Sequence, residues 1–128
     1  MKASTKIEIR FADLDAYRHV NNASYFTFIE TARFKLFHEY FSEIMATGLQ
    51  FLVVEANCRY LEPIGLNDPL VIDVEFQTPG RSSFILNYIL HSGKGKVYAE
   101  ARTVMVCFDS SQGKAVRVPD QMRLAFEG

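Results

Sequence analysis

The sequence has little of what builds a disulfide framework or a metal site. Its 128 residues include two cysteines, Cys58 and Cys107, which do not form a C-x-x-C spacing. This usage is typical of reduced thiols in a cytoplasmic protein. The three histidines are scattered, so none has a second histidine or cysteine at ligand spacing. We therefore expect no metal and no cofactor.

The chain also lacks a strong net charge and a long apolar run. Its formal charge is -1, so we expect no broad electrostatic attraction to nucleic acid or to an anionic membrane. It has no apolar stretch of the roughly 18 residues that suggest a spanning helix. The first six residues lack the apolar core of a signal peptide. These absences favour a cytoplasmic protein with neither nucleic acid nor membrane as a partner.

No G-x-S-x-G segment is present, so the sequence gives no support for a Ser-His-Asp triad. What it does contain is apolar bulk. Hydrophobic residues make up 48% of the chain and aromatic residues 13%, which is typical of a globular protein rather than a disordered one. A chain of this size buries about two-thirds of its surface on folding. We interpret residues 1–128 as a single domain.

Hydrophobic periodicity predicts one long helix and several strands. Five of the eleven phenylalanines lie between 26 and 41. On one face of the predicted helix apolar residues recur at three- and four-residue steps, whereas Phe37 lies on another face. The residues of that first face are Tyr25, Phe28, Ile29, Ala32, Leu36 and Tyr40. We expect this helix to be the enclosed centre of the core. Segments in which polar and apolar residues alternate between turns predict strands. They lie at 6–11, 52–60, 70–76, 84–90, 97–108 and 115–118. Pro119 and Asp120 can begin a short final helix.

This order predicts an α+β fold in which an antiparallel β-sheet wraps around one long hydrophobic helix. Each strand from residue 52 onward has an apolar face; in the first of them Leu52, Val54, Cys58 and Tyr60 share it. We expect these faces to pack on the helix. A sheet of this kind covers only part of the helix and leaves its edges open, so we expect a homodimer or homotetramer.

Residues 10–25 form a polar segment between the first strand and the helix. Asp13 and Asp15 lie just before the helix N-terminus, where backbone amides are unpaired and the dipole favours negative charge. A carboxylate there can act as a nucleophile or general base, and the amides can stabilise an oxyanion. On the residues alone, however, D-x-D in a loop before a helix is more often typical of turn and capping residues. Both interpretations stand at this point.

Other polar and aromatic residues also have two interpretations. His19 is either a base or a hydrogen-bonding loop residue. The turn Arg81-Ser82-Ser83 can bind a phosphate or simply face solvent, and Arg59 has the same alternatives. Tyr25 and Phe28 are core candidates that lie near enough to the loop to line an acyl pocket.

The loop and the helix after it resemble the hot-dog-fold thioesterases of the 4-hydroxybenzoyl-CoA thioesterase-like family. The family pattern is D-x-D-x-x-G-H-V-N-N-x-x-Y followed by E-x-A-R. This chain has DLDAYRHVNNASY at 13–25 and ETAR at 30–33. The segments YLEP at 60–63, NDPL at 67–70 and GRSSF at 80–84 fit as well. The resemblance therefore covers nearly the whole chain.

The resemblance implies a hot-dog fold and hydrolysis of an acyl-CoA to free acid and CoA. It makes Asp15 the catalytic carboxylate, as nucleophile or general base, and leaves Asp13 to shape the loop. It places the backbone N–H of Asn22 against the thioester carbonyl. His19 and Tyr25 would then contact the substrate. The nucleotide end of CoA would be bound by Arg59, Arg81, Ser82 and Ser83.

The chain departs from the family pattern at three places. Arg18 stands where the family has a glycine, a residue that tolerates positive φ. We expect either a differently shaped loop or an arginine that reaches a ligand phosphate. Some relatives have histidine where this chain has Asn22 and tyrosine where it has Phe11, so acid–base help from those positions is absent. Two alternatives stay open: hydrolysis of acyl groups on a carrier protein, and acyl-CoA binding without catalysis.

Overall fold

A computed structural model describes residues 1–127 of the chain. A single 3-10 turn at Phe11–Asp13 precedes the long helix. The helices are α1 (Asn22–Met45) and α2 (Asp120–Glu127). The strands are β1 (Lys2–Lys6), β2 (Leu49–Tyr60), β3 (Val71–Phe76), β4 (Ser83–His91), β5 (Val97–Asp109) and β6 (Lys114–Ala115). No helix within this described part is long and apolar enough to cross a membrane.

The strands form one antiparallel sheet in the order β1-β3-β4-β5-β2, with β6 paired to β5. The inward residues of β3, β4 and β5 alternate with half-buried ones and pack on one face of α1. This arrangement confirms the predicted α+β fold with a sheet around one long helix. The hairpins β3–β4 and β4–β5 join sheet neighbours. Strand β2 instead pairs with β5 at one edge of the sheet.

Helix α1 begins where the sequence predicts. Asn21 is its N-cap, and the side-chain oxygen of Asn21 accepts a hydrogen bond from the Ala23 amide at 2.9 Å. The C-terminal half differs from the prediction: Tyr40 is 46% exposed and Phe37 is buried. The cause is an aromatic cluster that draws a different face inward, in which the rings of Phe37 and Phe84 lie 6.2 Å apart and those of Phe41 and Phe126 lie 5.8 Å apart.

The first strand lies earlier than predicted. It spans Lys2–Lys6 and pairs with β3, whereas the alternating pattern placed it at 6–11. The last bond along this edge runs from the Ile7 amide to the Leu70 carbonyl oxygen at 3.0 Å. Beyond it the chain leaves the sheet, although Ile9 still points into the core and Phe11 points out. Alternation therefore reported burial correctly for Ile9 but not for Phe11, and it reported strand pairing incorrectly.

The apolar face of β2 is not covered within one copy of the chain. Leu52, Val54 and Tyr60 are 41%, 61% and 42% exposed, so the predicted inward packing of this face is wrong for the single chain. The register shifts between Val53 and Glu55, which breaks the alternation in the middle of the strand. Strand β2 has a partner on one side only. The predicted last strand shortens to Lys114–Ala115, and the predicted final helix is present as α2.

Candidate active site

Asp13 is a structural residue of the loop. Its side chain is buried and accepts three hydrogen bonds from Arg10. The backbone N–H and the guanidinium Nε donate to Oδ2 at 2.8 and 3.4 Å, and a terminal guanidinium nitrogen donates to Oδ1 at 2.8 Å. These bonds hold the pKa of the Asp13 carboxyl below its ordinary value. The carboxylate fixes the 3-10 turn and has no free face toward a ligand. This geometry separates the two aspartates that the sequence pattern presents together.

The residues after Asp13 form a small hairpin. Leu14 and Val20 make an antiparallel bridge, and the Asp15 amide donates to the His19 carbonyl oxygen at 2.8 Å. Arg18 closes the turn with φ of 63°, the only non-glycine residue with positive φ in residues 1–127. Such a turn normally ends on a residue in the left-handed region. Arg18 therefore adopts the positive φ that a glycine at this position would tolerate.

This hairpin holds Asp15 in one orientation and leaves half of its carboxylate free. Oδ1 accepts hydrogen bonds from the backbone amides of Tyr17 and His19, at 2.8 and 3.3 Å. No donor of the described chain reaches Oδ2. The residue is exposed, so Oδ2 is available to a ligand or a water molecule. An oriented carboxylate with a free oxygen is what a nucleophile or general base requires.

The first turn of α1 presents one free amide beside this carboxylate. The Ala23 amide is bonded to the side chain of Asn21, and the Ser24 amide is bonded to the Asn21 carbonyl oxygen at 2.8 Å. The Asn22 amide has no acceptor anywhere in residues 1–127. The hydroxyl of Tyr60 donates to the Asn22 carbonyl oxygen at 3.0 Å and so ties this turn to β2.

A cavity of about 260 Å³ brings these groups together. It is lined by Asp15, His19, Asn22 and Tyr25, four residues that the sequence predicts for the site, and by Tyr60. The rings of Tyr25 and Tyr60 meet edge to face with centroids 4.8 Å apart. Burial raises the pKa of Tyr25 to about 12, so its hydroxyl can donate a hydrogen bond at neutral pH but cannot act as a base.

Tyr60 was missed as a site residue by the sequence reasoning, although it begins the YLEP segment that fits the family. Its position at the last residue of β2 gave no chemical signal. Phe28, a candidate for the acyl pocket, is buried and lines a different cavity, beside Ile7, Glu8 and Arg10. The pocket lining nearest the helix start is therefore made of tyrosines rather than phenylalanine.

The residues predicted for the nucleotide end are not beside Asp15 within one copy. Ser83 pairs with Val106 on β5, whereas Tyr60 pairs with Ala99. Seven residues of strand separate these positions, which is roughly 23 Å. Arg81 and Ser82 precede Ser83 at that far end, and Arg81 is exposed there. Arg59 makes an exposed ion pair with Glu100 at 3.6 Å.

A groove of about 420 Å³ runs between the later turns of α1 and the start of β2. Phe34, Phe37 and Leu52 line it, together with the half-buried Arg33. The Arg33 guanidinium donates to the Tyr88 hydroxyl at 3.2 Å, and that hydroxyl lies 2.8 Å from the Thr103 hydroxyl. The groove is thus mainly apolar, with the charged side chains of Glu30 and Arg33 in its lining. Across residues 1–127, no group of three or more His, Cys, Asp or Glu side chains is arranged to hold a metal ion.

Comparison with known families agrees with this geometry. The family model described as the thioesterase-like superfamily matches residues 9–126. This span includes the Asp15 hairpin, α1, all strands after β1, and α2 except its last residue. The chain belongs to the thioesterase-like superfamily. This thioesterase-family chain therefore carries its free carboxylate and its free helix amide inside the matched region.

Individual relatives are similar to the thioesterase-family chain over nearly its whole length. The Escherichia coli protein named long-chain acyl-CoA thioesterase FadM is 34% identical over 126 residues, which is 96% of each chain. The crystal structure of YbaW, a probable thioesterase from Escherichia coli, is similar with a TM-score of 0.83, 31% identity and 96% coverage of both chains. A Thermus thermophilus thioesterase, solved with coenzyme A and zinc, is similar with a TM-score of 0.85 and 28% identity. That match covers 98% of this chain and 97% of the other. These likenesses confirm the hot-dog fold.

Proposed function

We propose that this chain hydrolyses acyl-CoA thioesters to the free acid and CoA. The observation that carries the proposal is a single cavity lined by a hydrogen-bond acceptor and a hydrogen-bond donor that have no partner in the described chain. The acceptor is Asp15 Oδ2 and the donor is the Asn22 amide. Family membership supports a thioester as the substrate. The name of the FadM relative and the CoA bound to the Thermus thermophilus relative support CoA as the carrier.

In the proposed reaction the thioester carbonyl oxygen accepts a hydrogen bond from the Asn22 amide. That amide lies at the positive end of the α1 dipole, so it stabilises the negative charge that develops on the oxygen. Because the Ala23 and Ser24 amides are already bonded, Asn22 is the donor that the first turn offers. The ring of Tyr60 and its bond to Asn22 hold this turn in place.

Asp15 supplies the second half of the chemistry by one of two routes. As general base, Oδ2 takes a proton from water while the water oxygen bonds to the carbonyl carbon. The C–S bond then breaks, and the CoA thiolate leaves and is protonated. As nucleophile, Oδ2 bonds to the carbonyl carbon, CoA leaves as thiolate, and water cleaves the resulting anhydride. Single turnover in oxygen-labelled water distinguishes the routes, since only the second transiently joins the acyl carbon to Asp15.

We further propose that the active assembly is a homodimer formed through β2. The strand is 12 residues long, has an unpaired edge and exposes Leu52 and Val54. Such an edge is a template for pairing with a second copy. If two β2 strands pair antiparallel about a two-fold axis, the end carrying Arg81, Ser82 and Ser83 in one copy moves toward Asp15 of the other. A dimer of dimers would bury further surface without changing this site.

We propose a long-chain acyl group as the substrate. The FadM relative is named for long-chain acyl-CoA, and the groove along α1 offers an apolar surface beyond the cavity. From Asn22 to Phe34 the helix rises about 18 Å. A chain that begins at the Asn22 amide and follows α1 toward β2 would reach the groove lined by Phe34, Phe37 and Leu52.

The test is thiol release from a series of acyl-CoAs by the purified chain. Asp15→Asn and Asp15→Ala should each lower kcat by about 100-fold or more if the carboxylate is catalytic. Glu43→Gln, which removes an exposed carboxylate elsewhere on α1, is the matched control. Wild-type turnover in both Asp15 variants would overturn the assignment. Faster turnover of an acyl-carrier protein would move the substrate class to carrier-bound acyl groups, and tight CoA binding without thiol release would indicate a binding module.

A further inference from the structure

A second cavity adjoins Asp15 on the hairpin and is larger than the one that contains Asn22. Its volume is about 540 Å³, within the range of small-molecule sites. It combines two leucines and an aromatic ring with a cation and an amide. Its lining consists of Phe11, Leu14, Asp15, Arg18, Leu66 and Asn67. The hydrolytic chemistry described above uses only Asp15 of this set.

Arg18 is the unusual residue of this cavity. It holds φ of 63°, a left-handed conformation that is energetically costly for a residue with a side chain. Its guanidinium makes no ion pair or hydrogen bond with any residue of the described chain. The related family has glycine at this position, which would adopt the same turn without that cost. A strained and unpaired cation beside a reactive carboxylate indicates a ligand-binding role.

The other charges near the cavity leave Arg18 free to bind an anion. The Asp68 carboxylate, from the segment that carries Leu66 and Asn67, accepts a hydrogen bond from the Gly65 amide at 2.7 Å. The Arg10 guanidinium is engaged by Asp13. Asp15 has one oxygen held by the hairpin amides. Arg18 is therefore the unengaged cation of this cavity, and a guanidinium is well suited to bidentate contact with phosphate oxygens.

Phe11 provides a flat apolar surface in the same cavity. Phe11 is 81% exposed, an unusual position for a large aromatic residue. Exposed aromatic rings can stack on nucleobases of any sequence. Asn67 adds an amide that can donate and accept hydrogen bonds. The cavity thus offers an aromatic face, a cation and a polar amide together.

We propose that this cavity, through Arg18 and Phe11, binds the phosphate-bearing adenine nucleotide of the CoA substrate. The inference rests on the proposed acyl-CoA hydrolysis, and it adds contacts from the copy that provides Asp15 to those proposed for Arg81, Ser82 and Ser83 of a second copy. The pantetheine arm then bends back past Asp15 so that the thioester enters the cavity with the Asn22 amide. The cation at position 18 gives this chain a phosphate contact that a glycine could not provide.

The test compares acyl-CoA with acyl-pantetheine, which carries the same thioester without the nucleotide phosphates. Arg18→Gly should lower the ratio of kcat/KM for acyl-CoA to that for acyl-pantetheine about tenfold, the effect of losing about 1.4 kcal/mol of binding. Phe11→Ala should lower the same ratio about fivefold or more through lost stacking. Arg18→Lys retains the charge and should recover part of the loss. Lys114→Gln removes an exposed cation remote from the hairpin and is the matched control.

An equal effect of Arg18→Gly on both substrates, or none on either, would overturn the proposal. A dephospho-CoA thioester separates the sources of phosphate: loss of the Arg18 effect assigns the contact to the 3′-phosphate, and its persistence assigns it to the pyrophosphate. Calorimetric binding of CoA keeps the two hypotheses distinct. If the wild type releases no thiol but binds CoA more tightly than Arg18→Gly does, the site stands and the hydrolase assignment fails.

Discussion

The hydroxyl of Tyr60, at the end of β2, donates a hydrogen bond to the carbonyl oxygen of Asn22, the first residue of α1, at 3.0 Å. The bond connects the sheet edge to the helix turn that presents the free amide. The Tyr60 ring also meets Tyr25 edge to face. The proposed oxyanion donor therefore depends for its position on a residue 38 positions away in sequence.

Tyr60→Phe removes this bond and keeps the ring. We expect kcat to fall about fivefold, because a net hydrogen bond contributes about 1 kcal/mol, while KM stays within a factor of two of wild type, roughly 0.4 kcal/mol. Tyr40→Phe, which alters a similarly exposed tyrosine of α1 outside the cavity, is the control. A Tyr60→Phe enzyme that loses stability but keeps its kcat would assign Tyr60 a purely structural role.

The Arg10–Asp13 pair predicts a pH dependence of stability. The folded pKa of Asp13 is lowered by Arg10, below an unfolded value of about 3.9. Its contribution is therefore fully present above the unfolded pKa and is lost as the pH falls through the folded pKa. Asp13→Asn should lower the free energy of unfolding by about 2 kcal/mol at pH 7, as expected for a charged hydrogen bond.

Urea unfolding of both proteins across the acidic range measures this effect. The difference in unfolding free energy should be constant above about pH 5 and shrink steadily below about pH 4, where the Asp13 carboxylate becomes protonated. Asp120→Asn breaks the exposed Arg117–Asp120 pair and should have a smaller effect. A difference that grows on acidification would show that the folded chain does not favour the ionised form of Asp13.

Arg18→Gly should not destabilise the fold, in contrast to its effect on CoA binding. Removing the side chain relieves about 1–2 kcal/mol of left-handed strain, and the greater freedom of glycine in the unfolded chain offsets about 0.4–1 kcal/mol of that gain. We expect a thermal midpoint at or slightly above wild type. Ala16→Gly, in the same hairpin but without positive φ, should lower the midpoint. A clear loss in Arg18→Gly would mean that the arginine stabilises the loop by a contact.

The helix, the order of elements and the loop were predictable because each is encoded locally. The spacing of Tyr25, Ile29 and Leu36 indicated a buried helix face, and Asn21 marked its start. The burial of Phe37 and the exposure of Tyr40 were not predictable, because they depend on aromatic rings contributed by β4 and α2. The first strand was misplaced for a related reason: its pairing with β3 is a contact between residues about 70 positions apart.

The site shows the same division between local and distant information. Asp15 and Asn22 lie on adjoining local elements, so the motif could place them together, and the structure separates Asp15 from Asp13 by the Arg10 contact. Tyr60 is placed at the site by the pairing of β2 with β5, and nothing in the sequence around it indicated a chemical role. Arg81, Ser82 and Ser83 lie at the other end of the sheet, and their predicted role depends on a second copy.

The groove along α1 predicts a dependence on acyl length. Phe34→Glu places a charge in the groove wall at an exposed position, so the fold should survive. Each methylene kept out of an apolar environment loses about 0.8 kcal/mol, so kcat/KM for palmitoyl-CoA should fall about tenfold or more while that for butyryl-CoA changes little. Tyr40→Glu on the same helix is the control. Equal losses for both substrates would show that the groove is not the acyl site.

Mixed dimers test whether the far end of the sheet serves the site of a second copy. Asp15→Ala removes the carboxylate, and Arg81→Ala with Ser82→Ala removes the predicted nucleotide contacts; each variant alone should be impaired at low acyl-CoA. If the two copies share residues across the interface, one of the two active sites in a mixed dimer combines an unaltered Asp15 with unaltered Arg81 and Ser82. Refolding the two variants together should therefore restore roughly a quarter of wild-type activity, given random pairing of copies about a two-fold axis.

The recovery should vanish when Val54→Asp is added to both variants, because a charge on the exposed edge of β2 opposes pairing. Analytical ultracentrifugation of the Val54→Asp protein should then report a monomer. If Arg81 and Ser82 acted within their own copy, every site in the mixed dimer would keep one lesion and activity would not return. Recovery thus requires both the interface and the exchange of residues across it, and its absence in a proven mixed dimer would show that Arg81 and Ser82 do not serve the site of a second copy.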